Sequence, residues 1–236
     1  MNFNLLEEEE CLEFIRQNVN DENVSDIILK FSGHENSEFL LAKLNEIKDV
    51  NLINICIDRD PLKVKLTDDR VINLTGQSGS GKSYFSNSFD DNYLIVDTDE
   101  VLSEHRYKNS VGINKELGDY FRTKYDVLPD LANDFDLIYD EILSYCKNYN
   151  KWIVIDCAQF HCINDISKLK GIVIIMRTCI DTCYKRCIGR YKNNNSSCTE
   201  EELRDYMLKK KKIYKWYRGS NEFIKKVIEI GSEINE

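Results

Sequence analysis

Glycine and proline are scarce in this 236-residue chain, which contains only ten glycines and two prolines. Together they make up about 5% of the residues, against about 12% in average proteins. This scarcity excludes collagen-like repeats and glycine- or proline-rich disordered linkers. Three of the ten glycines nevertheless lie within six residues, at Gly76, Gly79 and Gly81. The chain therefore concentrates its backbone freedom in one short loop.

The sequence also lacks long apolar runs and an excess of positive charge. Its longest apolar run, residues 172–176, is far below the roughly 18 residues that a membrane span requires. Residues 1–10 are acidic and do not have the pattern of a secretory signal. Acidic residues exceed basic ones by 41 to 32, and the formal charge of −9 disfavours broad binding of nucleic acid or anionic membrane. We expect a cytoplasmic protein without a membrane partner.

Nine cysteines are present, an odd number in a chain without an export signal. Cys179, Cys183 and Cys187 recur every four residues, which is the spacing of one helix face. A zinc site is disfavoured because the sequence has no CxxC pair and only three histidines. We therefore expect reduced thiols that pack as small apolar side chains.

The first 70 residues differ in pattern from the rest of the chain. Apolar residues recur at helical spacing to about residue 50, and segments 53–57 and 62–66 then alternate like the two strands of a hairpin. We predict a small α+β extension over residues 1–70, of unknown role, whose hairpin packs at a sheet edge or forms its own layer.

From residue 71 onward, short apolar strands alternate with helical stretches. The predicted strands are 71–74, 93–96, 152–155, 172–176 and 226–230. Strands rich in Ile and Val without polar alternation are buried on both faces, which is typical of a parallel sheet covered by helices. The predicted fold class is α/β, with one domain over residues 71–236.

One loop carries a specific motif. The residues Gly76, Gln77, Ser78, Gly79, Ser80, Gly81, Lys82 and Ser83 fit GxxxxGK[ST], directly after a predicted strand and before a helix. In such a loop the backbone N–H groups surround phosphate oxygens, the lysine reaches the β- and γ-phosphates, and the serine hydroxyl ligates Mg²⁺. The sequence therefore predicts binding of ATP with Mg²⁺.

Carboxylates follow two of the predicted strands. Asp97 and Asp99 come at the end of the second strand, and Asp156 ends the third. Ligands bind at the carboxyl ends of strands in parallel sheets, so one acid can support the metal while another accepts a proton from an attacking hydroxyl. The alternative is that one aspartate only caps the following helix.

Two arginines precede a polar loop near the end of the domain. Arg186 and Arg190 are four residues apart in a predicted helix, followed by an Asn-rich loop and a basic helix that begins at Thr199. We predict a lid near residues 190–218 whose arginines stabilise charge on a transferred phosphoryl group. The alternative is an exterior helix with ion-paired arginines.

These motifs resemble the P-loop kinases related to nucleoside monophosphate kinases and shikimate kinase, over residues 71 to about 231. The resemblance implies a P-loop NTPase three-layer sandwich with a five-stranded parallel sheet of order 2-3-1-4-5. It implies that Asp97 serves the Mg²⁺ side and that Asp99 is the base or substrate anchor. It further suggests Arg122, at the end of Gly118-Asp119-Tyr120-Phe121-Arg122, as a substrate anchor. After the third strand the chain lacks the glycine run of shikimate kinases. An acid at this position, here Asp156, resembles zeta-toxin-like and polynucleotide-kinase-like proteins.

We therefore expect an ATP-dependent kinase that transfers the γ-phosphoryl group to a hydroxyl or phosphate of a small molecule. The predicted catalytic residues are Lys82, Asp99, Arg186 and Arg190, and the predicted metal ligands are Ser83, Asp97 and Asp156. A polynucleotide 5′-hydroxyl kinase and a nucleotide-dependent regulatory module with slow ATPase activity remain as alternatives. A nucleic acid partner is not favoured. GTPases and transporter ATPases fit less well, because the NKxD and LSGGQ motifs are missing.

Overall fold

A computed structural model describes residues 60–178 and the helix 212–234, together with Glu13, Thr199 and seven residues between 182 and 190. The chain divides into two compact units. The first comprises Met1–Asp60, Gln77–Ser80 and Arg177–Asn221, and the second comprises Pro61–Gly76, Gly81–Met176 and Glu222–Glu236. The helices and the first hairpin strand predicted within residues 1–59, and most of the helix predicted from Thr199, lie outside the described residues.

The second unit contains a five-stranded sheet in the order β1-β5-β2-β4-β3. Its strands are β1 (Leu62–Lys65), β2 (Val71–Thr75), β3 (Tyr93–Asp97), β4 (Trp152–Asp156) and β5 (Ile172–Ile175). Strands β2 to β5 are parallel, and β1 pairs with β5 antiparallel. All five residues of β2 are buried. Because successive strand residues point to opposite faces, both faces of this central strand are covered, as the sequence predicts.

The predicted five-strand order and the all-parallel sheet are wrong at one edge. Strands β2, β3, β4 and β5 have the expected order and direction. Residues 226–230, the predicted fifth strand, are helical and belong to α6 (Lys212–Ile234). Phe223, Ile224 and Val227 are buried while the residues between them are exposed, and this 3–4 residue spacing selects a helix. The edge position is taken by β1 instead.

Strand β1 belongs to the segment that the sequence assigns to the extension. It lies at the sheet edge beside β5 and not beside β2, as expected for this segment. Helix α6 packs closely against it, since a Cβ at Gly231 would lie 2.2 Å from a Val64 methyl carbon. The division of the chain at residue 70 and the role of the extension stay predictions.

Short helices connect the strands and cover the core. They are α1 (Lys82–Ser86), α2 (Thr98–Leu102), α3 (Glu104–Tyr107), α4 (Gly112–Lys124) and α5 (Phe135–Cys146), with 3-10 turns at Lys147–Tyr149, Phe160–Cys162 and Ile166–Lys168. An aromatic chain runs from Phe85 through Phe89 and Tyr93 to Trp152, with ring centroids 5.6, 4.6 and 6.1 Å apart. These rings pack against the core residues Leu74 and Val154, among others, so the helix that follows the glycine-rich loop is fastened to the sheet.

Within the part of the chain that the structure describes, no helix has the length and apolarity needed to cross a membrane.

Candidate active site

The glycine-rich loop of residues 76–83 connects β2 to α1 and has a backbone that requires glycine. Gly79 and Gly81 have φ angles of +88° and +96°, in the left-handed region that other residues rarely adopt. A Cβ at Gly79 would lie 2.4 Å from the carbonyl oxygen of Cys183, in the same unit. The loop therefore combines a left-handed turn with close backbone contact, and both need the absence of a side chain.

Two polar side chains of this loop are buried without hydrogen-bond partners. Gln77 and Ser80 are 1% and 2% exposed, and neither the Gln77 amide nor the Ser80 hydroxyl has a partner among the described residues. A buried polar group without a partner is costly. A phosphate in this loop could accept hydrogen bonds from the Gln77 amide N–H and the Ser80 hydroxyl, so these two donors fit the predicted nucleotide.

Lys82 folds back over its own loop. Its Nζ donates a hydrogen bond of 2.9 Å to the carbonyl oxygen of Gly76 and lies 3.9 Å from a carboxylate oxygen of Asp156. Both side chains are largely buried, at 13% and 6% exposure. The lysine cation and the strand-end acid therefore lie together beside the loop.

Asp97 and Asp156 face each other across two neighbouring strands. They are register partners at the carboxyl ends of β3 and β4. Asp97 also caps α2, because its Oδ1 accepts hydrogen bonds from the backbone N–H groups of Asp99 and Glu100, at 2.9 and 3.2 Å. The capping role left open for this pair thus falls on Asp97, while the Asp99 side chain is 53% exposed in the first turn of the helix.

Arg106 and Asn114 also belong to this cluster, although neither was predicted from the sequence. Arg106 lies 3.3 Å from Asp97, 3.1 Å from Asp99 and 3.9 Å from Glu100. The Asn114 Oδ1 accepts from the N–H of Asp97 at 3.0 Å, and its Nδ2 donates to Glu100 at 2.9 Å. The only sequence signal for Arg106 is that a basic residue follows Asp97 and Asp99 closely along the chain. No periodicity in the sequence places its side chain near theirs.

Burial disfavours ionisation of the Asp156 carboxyl group. Loss of solvent raises its pKa to about 6 from an ordinary 3.8, with Lys82 lowering the pKa and the nearby Asp97 and Asp99 raising it. Burial also raises the pKa of Asp97, against the opposing effect of Arg106. Burial therefore destabilises the ionised forms of these two strand-end carboxyls. Cations such as Lys82 and a metal ion would reduce that penalty.

Replacing Asp156 with asparagine is expected to stabilise the nucleotide-free protein at neutral pH. The pKa of Asp156 is higher in the folded than in the unfolded protein, so the folded protein binds this proton more tightly. The free energy of unfolding of the unsubstituted protein therefore declines as pH rises from about 4 through 6. The difference between 3.8 and about 6 corresponds to up to about 3 kcal/mol. Urea denaturation of both proteins at pH 4.5 and 7.5 measures this effect. A free-energy difference between them that does not grow with pH would contradict it.

Arg122, the predicted substrate anchor, lies among the helices. It donates to the carbonyl oxygens of Val101 and Gly118, at 2.8 and 3.0 Å, and to Glu104 at 3.0 Å. Its guanidinium carbon is 3.5 Å from the centroid of the Tyr107 ring. These contacts join α2, α3 and α4, and none of them is with the strand-end carboxylates. Its role in substrate binding stays a prediction.

The predicted lid arginines belong to the first unit, where their segment contacts the loop residues. Arg186 donates to the carbonyl oxygen of Gly79 at 3.2 Å, and Arg190 donates to Cys187 at 3.3 Å. The Cys187 sulfur lies 3.6 Å from the Ser78 hydroxyl. Arg186 is therefore placed at the loop directly, and Arg190 one helical turn further along.

The candidate metal ligands are oxygen donors. The Ser83 hydroxyl and the carboxylates of Asp97 and Asp156 are the kind of group that Mg²⁺ prefers, and Mg²⁺ usually keeps several waters and substrate phosphates as further ligands. Among the described residues, no cluster of three or more His, Cys, Asp or Glu side chains is arranged to hold a metal ion. Cys183, one of the three evenly spaced cysteines, is fully buried.

The fold and the site are together consistent with a P-loop kinase: a mostly parallel α/β sheet, a GxxxxGK[ST] loop after its central strand, and acids at the ends of neighbouring strands. The family model of the phosphoribulokinase / uridine kinase family matches residues 71–152. This span runs from β2 to the start of β4, and over it the chain is similar to that kinase family. No curated protein and no solved structure gives a significant match. The finer resemblance to nucleoside monophosphate and shikimate kinases stays a prediction.

Proposed function

We propose that this protein is a kinase that transfers the γ-phosphoryl group of ATP to a small-molecule acceptor. The observation that carries the proposal is the meeting of Lys82 with Asp156 beside a glycine-rich loop, with Asp97 as the register partner of that acid. A phosphate-binding cation and two metal-binding acids are what phosphoryl transfer requires of a protein. The family match over residues 71–152 supports the same reaction class.

In this proposal the loop residues 76–83 hold the phosphates through backbone N–H groups, and Lys82 binds the β- and γ-phosphates. Its present hydrogen bond to the Gly76 carbonyl leaves two ammonium donors for this purpose. Ser83, Asp97 and Asp156 hold Mg²⁺, which neutralises part of the phosphate charge when bound. Arg186 and Arg190 stabilise the charge on the transferred group, and Arg186 already donates a hydrogen bond to the loop backbone.

Asp99 is the proposed base. Its carboxylate is half exposed at the start of α2, and Arg106 holds one of its oxygens at 3.1 Å, which orients the carboxylate. The other oxygen is available to accept the proton of an acceptor hydroxyl. Asp97 is less suited to this role because its Oδ1 caps the helix and its Oδ2 contacts Arg106.

A transfer screen with γ-labelled ATP tests this function across nucleosides, nucleotides, sugars, amino acids and oligonucleotides. We expect label transfer to at least one small molecule, dependent on Mg²⁺. Transfer to oligonucleotide 5′-hydroxyls alone, weakened by salt, would identify a polynucleotide kinase instead. Slow hydrolysis that no acceptor accelerates would identify a regulatory nucleotide-binding module.

A further inference from the structure

We propose that the ring of Tyr84 stacks on the base of the bound nucleotide and strengthens binding of the nucleoside end of ATP. This inference rests on the proposed kinase function, and it adds a partner for the base to the residues that bind the phosphates, the metal and the acceptor. Its basis is the position of Tyr84 in α1, the helix that begins at Lys82 within the GxxxxGK[ST] motif.

The Tyr84 side chain is exposed although it lies in a helix that packs on the sheet. It is 88% exposed, the highest value among the exposed large apolar side chains that the structure describes. Its ring and its hydroxyl contact no other described residue through a hydrogen bond or an aromatic pair. Phe85 and Phe89 do the packing, since their rings contact each other and the core. The sheet therefore fixes α1 without Tyr84, whose ring extends into solvent from a rigid support.

Tyr84 and Lys82 lie on opposite sides of the first turn of α1. A helix has 3.6 residues per turn, so residues two positions apart are separated by about 200° around the axis. The Lys82 ammonium lies 3.9 Å from Asp156, on the side where the lysine of this motif binds the β- and γ-phosphates. Ser83, the proposed metal ligand, lies between the two. A nucleotide with its γ-phosphate at Lys82 therefore has its nucleoside on the Tyr84 side.

Polar residues surround Tyr84 on the helix surface. Ser83 precedes it, and Asn87 and Ser88 lie three and four residues further on, where helical neighbours share one side; all three are exposed. A helix face that docks on another protein repeats apolar residues at this spacing, which this face does not do. A single exposed ring among polar side chains suits one planar ligand instead. A nucleobase has a π face that would cover the ring and remove its apolar surface from water.

Replacing Tyr84 with alanine is expected to weaken binding of ATP about 5- to 150-fold, which is the contribution of one base stacked on an aromatic side chain. Y84F and Y84W keep an aromatic ring and are expected to retain the affinity. Inorganic tripolyphosphate with Mg²⁺ offers the phosphate chain without a base, so its affinity is expected to be the same in Y84A as in the unsubstituted protein. The control is Y149A, which removes an exposed tyrosine whose hydroxyl binds Glu116 on α4.

Isothermal titration calorimetry with a non-hydrolysable ATP analogue and with tripolyphosphate measures these affinities without an acceptor. In Y84W, stacking of the base is expected to quench the indole fluorescence on addition of the ATP analogue and not of tripolyphosphate. Unchanged affinity of Y84A for the analogue, or an equal loss for both compounds, would overturn the inference and leave the kinase function in place. If the unsubstituted protein binds neither compound, the nucleotide site itself fails, and the inference fails with it.

Discussion

Replacing Lys82 with alanine is expected to weaken ATP binding by about 30- to 150-fold. The lysine ammonium is mostly buried beside the glycine-rich loop and donates to the Gly76 carbonyl, so it is already positioned where phosphates are expected. A charge-assisted hydrogen bond in such a place contributes about 2 to 3 kcal/mol, which corresponds to this change in Kd. Isothermal titration calorimetry with a non-hydrolysable ATP analogue measures it directly.

The Lys82 variant needs a control for folding, because it leaves Asp156 buried without its nearest cation. The double variant K82A/D156N removes that unpaired carboxylate and keeps the loss of the phosphate-binding ammonium. K63A, an exposed lysine on the edge strand β1, controls for a general loss of positive charge. Unchanged ATP affinity in K82A and in the double variant would refute the assignment of the loop as a nucleotide site.

The backbone of the glycine-rich loop could be predicted from the sequence because its geometry is local. Gly79 and Gly81 adopt the left-handed backbone that the motif requires, and Lys82 is the first residue of the helix that the motif predicts. The meeting of Asp97 and Asp156 was also predictable, since both end parallel strands and such strand ends share one edge of the sheet. The loop follows from residue spacing, and the pairing of the two acids follows from strand direction together with the strand order that the resemblance implies.

The errors arose where long-range packing decides. Residues 226–230 contain enough Val and Ile to favour a strand, yet they lie in α6, because Phe223, Ile224 and Val227 form a helical stripe that packs on the core. Strand β1 occupies the edge beside β5, and the sequence holds no signal for that choice between an edge position and a separate layer.

The site residues that the sequence missed depend on side-chain contacts between separate helices. Arg106 reaches Asp97 and Asp99 only because the chain turns between α2 and α3 at Ser103, and no periodicity shows that turn. Arg122, which the resemblance suggests as a substrate anchor, contacts Val101, Gly118, Glu104 and Tyr107, and its role in substrate binding stays a prediction.

Replacing Asp99 with asparagine is expected to reduce kcat by about 10²- to 10⁴-fold once the acceptor is known, while the Kd for ATP changes little. General base catalysis contributes this much, and asparagine cannot take the proton of an acceptor hydroxyl. The exposed ion pair with Arg106 contributes little to stability, so the fold is expected to survive. Asp97 offers no such clean test, because its side chain caps α2.

The measurement for Asp99 is steady-state turnover at saturating ATP, with Asp91→Asn as the matched control. Asp91 is an exposed aspartate before β3, at the opposite end of the strand from Asp97 and Asp99. A base acts only in the transition state, so kcat and kcat/KM are expected to fall together in D99N and to stay unchanged in D91N. Full turnover by D99N would show that Asp99 is not the base. A rise in KM alone would make its carboxylate a binding group for the acceptor.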